Sequence, residues 1–195
     1  MSGNEMKYIQ EAFDGNWIAP LGPNVDGFEK DLENYLGQES HVAVVSTGTA
    51  ALHLALAMLG VEKDDFVICQ SLTFAASANP IIYLGGIPVF VDSEKDTWNL
   101  CPNAVEDAIK ACINKGKKPK AIIPVHLFGQ CADMEAIMQI ANAHQIAVVE
   151  DTAQAIGAAY TFNNGITKKA GTIGTLGTTS FFPSKNLGCY GDGGA

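Results

Sequence analysis

Four short stretches of the chain hold residue types that could do chemistry. Ser46-Thr47-Gly48-Thr49-Ala50 is a run of small residues leading into a helical pattern. Free backbone N–H groups and the helix dipole at such a start favour a phosphate. Asp151, with Gln154 three residues on, follows an apolar run over 146–149, which places a carboxylate at the C-terminal end of a strand. Thr179-Ser180-Phe181-Phe182-Pro183-Ser184-Lys185-Asn186 reads as an aromatic strand ending at a turn that carries a lysine, with Gly191-Asp192-Gly193-Gly194 behind it. A lysine kept dry between aromatic and small residues can attack a carbonyl as the free amine. Thr73-Phe74 offers an aromatic face on which a flat ring could stack. Each stretch also has a plain structural reading: a Thr-capped βα junction, a helix-capping Asp, a solvated lysine and a core aromatic.

The elements that must position these residues follow one rhythm from about residue 41. A short run rich in β-branched residues is followed by a polar or glycine-containing turn, then by apolar residues at i, i+3 and i+4. This predicts strands over 42–45, 66–69, 88–91, 121–125 and 146–149, with helices between them. The first helix spans 50–59 and stops at Gly60; the one over 102–114 has Pro102 in its first turn, and the one after Gly129 has Asp133 as N-cap. Residues 163–177 read as a loop or irregular hairpin, and residues 1–40 as a mainly helical lead-in broken by a turn from Pro20 to Pro23. Short βα connections imply an α/β fold of three layers, α/β/α, around a mostly parallel sheet. In such sheets ligands gather outside the carboxyl ends of the strands, where all four stretches lie.

Composition narrows the function. A net charge of -9 argues against nucleic acid or an anionic membrane as partner, since both require clustered Lys and Arg. Cys69, Cys101, Cys112, Cys131 and Cys189 are odd in number, scattered and without a C-x-x-C pair, so no disulfide framework or zinc site is expected and the thiols read as reduced. No apolar run approaches the roughly 20 residues of a membrane span, and the N-terminus does not read as a secretory signal, which makes the cytoplasm the expected location. The loop at 46–50 is neither G-x-G-x-x-G nor a Walker A loop, which disfavours a nicotinamide or other nucleotide cofactor there.

Taken in order, Ser-Thr-Gly-Thr-Ala-Ala-Leu, Glu-Asp-Thr-Ala-Gln-Ala and Ser-Phe-Phe-Pro-Ser-Lys-Asn resemble the nucleotide-sugar aminotransferases of the aspartate-aminotransferase fold, the DegT family. The resemblance covers essentially the whole chain. It implies the large domain of a fold type I, pyridoxal 5'-phosphate-dependent transferase over residues 41–195, with the C-terminal small domain missing. By position it makes Lys185 the Schiff-base lysine and proton-transfer group. Asp151 becomes the partner of the pyridine nitrogen, Gln154 a neighbour of the ring hydroxyl and Phe74 the stacking residue, while Gly48, Thr49, Ala50 and Ser180 bind the phosphate. No metal is implied.

The activity implied is ping-pong transfer of an amino group from an amino acid, glutamate by expectation, to a nucleotide-linked keto sugar in surface polysaccharide or glycan biosynthesis. The lead-in Asn16-Trp17-Ile18-Ala19-Pro20-Leu21-Gly22-Pro23 resembles members acting on UDP-linked 4-keto sugars in bacillosamine-type pathways. Lys185 favours aminotransfer over dehydration, because dehydrating relatives carry histidine there. His126, within Pro124-Val125-His126-Leu127-Phe128-Gly129, fits a family pattern and takes a structural role. The resemblance further implies a homodimer whose partner completes the site, and a chain that is poorly stable or inactive without the remaining half. A dehydratase or lyase using the same cofactor, and a non-catalytic truncated relative, are the competing readings.

Overall fold

The computed structural model describes residues 3–17, 19–37 and 39–195. Ile18 of the lead-in motif and the first two residues lie outside them. The chain divides into two compact units, 1–44 and 45–195.

The first unit holds two helices, α1 (Glu5–Asp14) and α2 (Pro23–Leu36). Pro23 occupies the first turn of α2, where its missing N–H has no intrahelical acceptor to lose. The expected break around Pro20 is therefore present. The expected strand over 42–45 is not. Val42 N–H donates to Glu33 Oε1 (3.1 Å) and Val44 N–H to Glu29 Oε1 (2.8 Å), so two of its ladder donors are spent on carboxylates of α2. Val45 makes only an isolated antiparallel bridge to Gly194.

The second unit is a three-layer α/β/α body. In chain order its main elements are α3 (Gly48–Met58), β1 (Phe66–Gln70), α4 (Asn79–Tyr83), β2 (Ile87–Val91), α5 (Pro102–Asn114), β3 (Ala121–Ile123), α6 (Met134–His144), β4 (Ala147–Asp151), β5 (Ala159–Thr161), β6 (Thr167–Lys169) and β7 (Leu176–Thr178). Five of the strands form one sheet in the order β2-β1-β3-β4-β7, every pair parallel. The chain runs from β1 outward to β2 and returns to β3 on the far side of β1. The order thus reverses between β1 and β3, the kind of switch point where α/β sheets open a crevice.

Strand alternation divides the core in two. Ile68, Ile122 and Val148 face α5 and α6, meeting Val105, Ile109, Met134 and Ile137. Their neighbours Val67, Cys69, Ala121, Ile123 and Val149 face the other way, against Leu52, Ala55 and Leu56 of α3 and Ile81 of α4. Both faces are covered, which is why these strands are continuously apolar. Pro88 is tolerated because β2 lies at the edge of the sheet. Helix α5 has the expected bounds, and Asp133 caps α6 by accepting from Ala136 N–H at 3.2 Å.

Residues 163–177 need correction at their end. An antiparallel hairpin of β5 and β6 precedes a turn, and Leu176 and Gly177 already belong to the main sheet. The aromatic segment after Thr179 is not itself a strand; Ser180 makes only a bridge to Gly194. Gly177 explains the shift. A Cβ there would fall 2.1 Å from Gly171 O, so the strand passes the preceding turn at a distance only glycine permits.

Candidate functional site

A cavity of about 450 Å³ opens at the carboxyl end of the parallel sheet, within the usual range for small-molecule sites. Its walls come from segments far apart in sequence: Thr47, Gly48 and Thr49 before and in α3, Thr73, Phe74 and Ser77 after β1, Asp151 and Gln154 at and after β4, and Ser180, Phe182 and Lys185 after β7. Seven of the eight residues singled out from the sequence line it. Ala50 does not.

Thr47 caps α3, its hydroxyl accepting from Ala50 N–H at 2.9 Å. This consumes the donor that Ala50 would have offered. The amides of Gly48 and Thr49 have no partner among the described residues, and both residues line the cavity. Gly48 is required where it is, because a Cβ would sit 2.6 Å from Ser180 Cβ. The absence of a side chain lets the start of α3 close on Ser180, bringing two free N–H groups and a hydroxyl into one corner. That corner has the chemistry of a phosphate cradle.

Asp151 ends β4 and is 4% exposed. Its Oδ1 accepts from Ala153 N–H at 3.0 Å and its Oδ2 from the Ser77 hydroxyl at 2.7 Å. Two further backbone bonds fix its main chain: Asp151 N–H to Pro124 O (2.9 Å) and His126 N–H to Asp151 O (3.0 Å). A carboxylate has about four lone-pair sites, so two remain for a bound group. Gln154 Oε1 is occupied by Phe128 N–H at 3.0 Å, which leaves its amide hydrogens free to donate. Phe74 is 72% exposed and belongs to the cavity wall, not the core. Lys185 is half-buried on the same wall, on a turn closed by Lys185 N–H to Phe182 O at 2.8 Å.

His126 and Glu150 stand just behind the site, both wholly buried. Glu150 precedes Asp151, so strand alternation turns its side chain to the opposite face of the sheet. There it accepts from His126 Nε2 (2.9 Å) and from the backbone N–H groups of Gly171 (2.9 Å), Ile173 (2.6 Å) and Gly174 (2.6 Å). Burial alone would raise Glu150, but the His126 hydrogen bond, together with the amides of Gly174 and Gly171, holds it below the usual carboxylate value. The structural role expected of His126 fits this pairing. Glu150 and Ser77 were not legible as site residues. The available signal for Glu150 was a carboxylate in an otherwise apolar run, a position that demands a partner.

These groups suit a flat ring that carries a phosphate, a cationic nitrogen and a carbonyl. The cavity offers two free amides and a hydroxyl at Gly48, Thr49 and Ser180, an exposed aromatic face at Phe74, a fixed carboxylate at Asp151 and the amine of Lys185. Among the described residues there is no cluster of three or more His, Cys, Asp or Glu able to hold a metal, no helix long and apolar enough to cross a membrane, and all five cysteines are free.

Comparison with known proteins supplies the rest. EpsN of Bacillus subtilis strain 168, provisionally named a pyridoxal phosphate-dependent aminotransferase, is 47% identical over 99% of this chain and 48% of its own length. The GDP-perosamine synthase of Caulobacter vibrioides is 42% identical over 100% of this chain and 49% of its own. Among solved structures, a DegT DnrJ EryC1 StrS aminotransferase from Brucella abortus superposes with a TM-score of 0.89 at 40% identity, over 98% of this chain and 50% of that one. The chain spans about half the length of the curated relatives it matches. Residues 1–195 match the DegT/DnrJ/EryC1/StrS aminotransferase family, and the chain belongs to that family.

Proposed function

We propose that this chain provides the cofactor-binding part of a pyridoxal 5'-phosphate-dependent aminotransferase that aminates a nucleotide-linked keto sugar. One observation carries the reading: a single cavity holds Lys185, Asp151, Phe74 and the free amides of Gly48 and Thr49, contributed by four separate segments. The name of EpsN supports the cofactor and that of GDP-perosamine synthase the nucleotide sugar.

When bound, the cofactor supplies an electron sink and a carrier for the amino group. Gly48, Thr49 and Ser180 hold its phosphate by N–H and O–H donors. Phe74 covers one face of the ring and excludes water from it. Asp151, fixed by Ala153 and Ser77, keeps the proton on the ring nitrogen. Gln154 donates to the ring hydroxyl. Lys185 Nζ would hold the cofactor through its aldehyde, with loss of water, and would be the base that takes and returns the proton at the amino-bearing carbon of the substrate.

The finer reading is a UDP-linked 4-keto-6-deoxy sugar as acceptor and glutamate as donor, in glycan or surface polysaccharide synthesis. It rests on the resemblance of the lead-in around Trp17 and Pro20. We place the enzyme in the cytoplasm on the reading of its N-terminus and apolar runs, and as a homodimer on the resemblance of the whole chain to the family. A dehydratase is disfavoured by Lys185 itself.

The test is borohydride reduction of the full-length protein with pyridoxal phosphate, followed by peptide mapping. A label on the peptide carrying Lys185, lost in Lys185→Ala, is the expected result; a folded protein with no label there overturns the reading. Acceptance of the amino group by UDP-linked and GDP-linked 4-keto sugars, after loading with glutamate, then decides the nucleotide.

A further inference from the structure

Asp151 is held by a side chain for which the mechanism above assigns no chemistry. Ser77 is 1% exposed, lies in the 3-10 turn Ala75–Ser77 just after Phe74, and donates to Asp151 Oδ2 at 2.7 Å across 74 residues of sequence. Its oxygen is also 2.8 Å from Thr73 Oγ1.

The chemistry of the three groups fixes the direction of this chain. An ionised carboxylate only accepts, and a serine hydroxyl has one proton to give. Ser77 gives that proton to Asp151, so Thr73 must be the donor to Ser77. The result is a one-way relay from Thr73 Oγ1–H to Ser77 Oγ–H to Asp151 Oδ2. Buried hydrogen bonds in series polarise one another, so each member strengthens the next.

The relay also joins two parts of the cavity. Thr73 and Ser77 flank Phe74 on the loop after β1, whereas Asp151 ends β4, and the switch-point strand β3 lies between those two strands. With Ala153 N–H on Oδ1 and Ser77 on Oδ2, the carboxylate cannot rotate without losing a buried bond.

We propose that Ser77, with Thr73 behind it, is a positioning residue. It locks the plane of the Asp151 carboxylate and ties it to the loop bearing Phe74, so that the ring nitrogen and the ring face of the bound cofactor are set together. The inference rests on the pyridoxal phosphate reading of this cavity.

The experiment uses the full-length protein and measures two quantities: the affinity for pyridoxal phosphate, and the visible circular dichroism of the bound cofactor at saturation, which reports how rigidly the ring is held. Ser77→Ala is expected to weaken binding about tenfold, the scale of one hydrogen bond to a charged group, and to reduce the dichroic signal even when every site is filled. A purely structural role would lower thermal stability and leave the saturated signal unchanged. Thr73→Val removes the outer hydroxyl on a less buried residue and is expected to act in the same direction more weakly, with Thr73→Ser restoring the signal. If Ser77→Ala fails to fold, the two Thr73 variants decide. Wild-type binding and dichroism in Thr73→Val, or in a folded Ser77→Ala, overturn the inference while leaving the function intact. A wild-type protein that shows no adduct at Lys185 and no cofactor dichroism overturns the function, and the inference with it.

Discussion

His126 Nε2 lies 2.9 Å from Glu150 Oε2, and neither side chain has any contact with solvent. The other ring nitrogen, Nδ1, accepts from Ala132 N–H at 3.1 Å, so the ring proton sits on Nε2 and is donated to the carboxylate. One buried pair thereby ties together the turn after β3, the end of β4 and the turn over 171–174 that leads into β7. Asp151 ends β4, and Lys185 follows β7 on the turn closed at Phe182.

The pair should make the protein acid-sensitive in a defined sense. The folded value of Glu150 is below its ordinary value of 4.5. Its stabilisation is therefore complete above that value and is lost as pH falls through the lower folded value. Glu150→Gln should cost roughly 3 kcal/mol near pH 7, because it leaves buried donors facing a weaker, half-donor group. It should also flatten the decline in stability below pH 4.5. Chemical denaturation of both proteins at several pH values tests this, and an unchanged acid limb would sink it.

Phe74 should separate function from stability. Its exposure means that Phe74→Ala removes little packing, so the loss of stability should stay within about 0.5 kcal/mol. Affinity for pyridoxal phosphate should fall by about 1 kcal/mol, or roughly fivefold, if the ring stacks there. Titration calorimetry beside a melting curve gives both numbers.

Gly48→Ala should injure both. The new Cβ would meet Ser180 Cβ at 2.6 Å, which must push the start of α3 away from the segment after β7. Overpacking of this kind costs about 1–3 kcal/mol, and the separated donors should bind the cofactor phosphate less well. Unaltered cofactor affinity would show that the corner is not the phosphate site.

The cysteines should divide by burial. Cys69 is pushed up to about 12 and Cys131 to about 11, in both cases chiefly by burial. Cys189 is exposed. Brief iodoacetamide treatment of the native protein at pH 8 should alkylate Cys189 and spare Cys69 and Cys131, as read by peptide mass spectrometry; denaturant should expose all of them.

The parallel α/β architecture, most helix positions and several of the residues lining the cavity, among them Asp151, Phe74 and Lys185, were legible in the sequence because they follow local rules. Period-2 and period-3.6 patterning mark the elements, and small or charged residues stand out where an apolar strand ends. The start of β7 was not legible, since Gly177 weakens any strand pattern and its need arises only from the approach of Gly171. Residues 42–45 carried a good strand pattern, but Glu29 and Glu33 took two of the ladder donors.

The site shows the same division. The sequence by itself determined which residue types were present to do chemistry: a lysine, a carboxylate, an aromatic ring and a helix start lined with small residues. Only the tertiary structure decided that Ala50 spends its N–H on Thr47, that Ser77 reaches Asp151 across 74 residues, and that Glu150 turns away from the cavity to hold His126. Hydrogen bonds between distant segments leave no local trace in a sequence, because the partner is chosen by the register of the sheet and not by the neighbours along the chain.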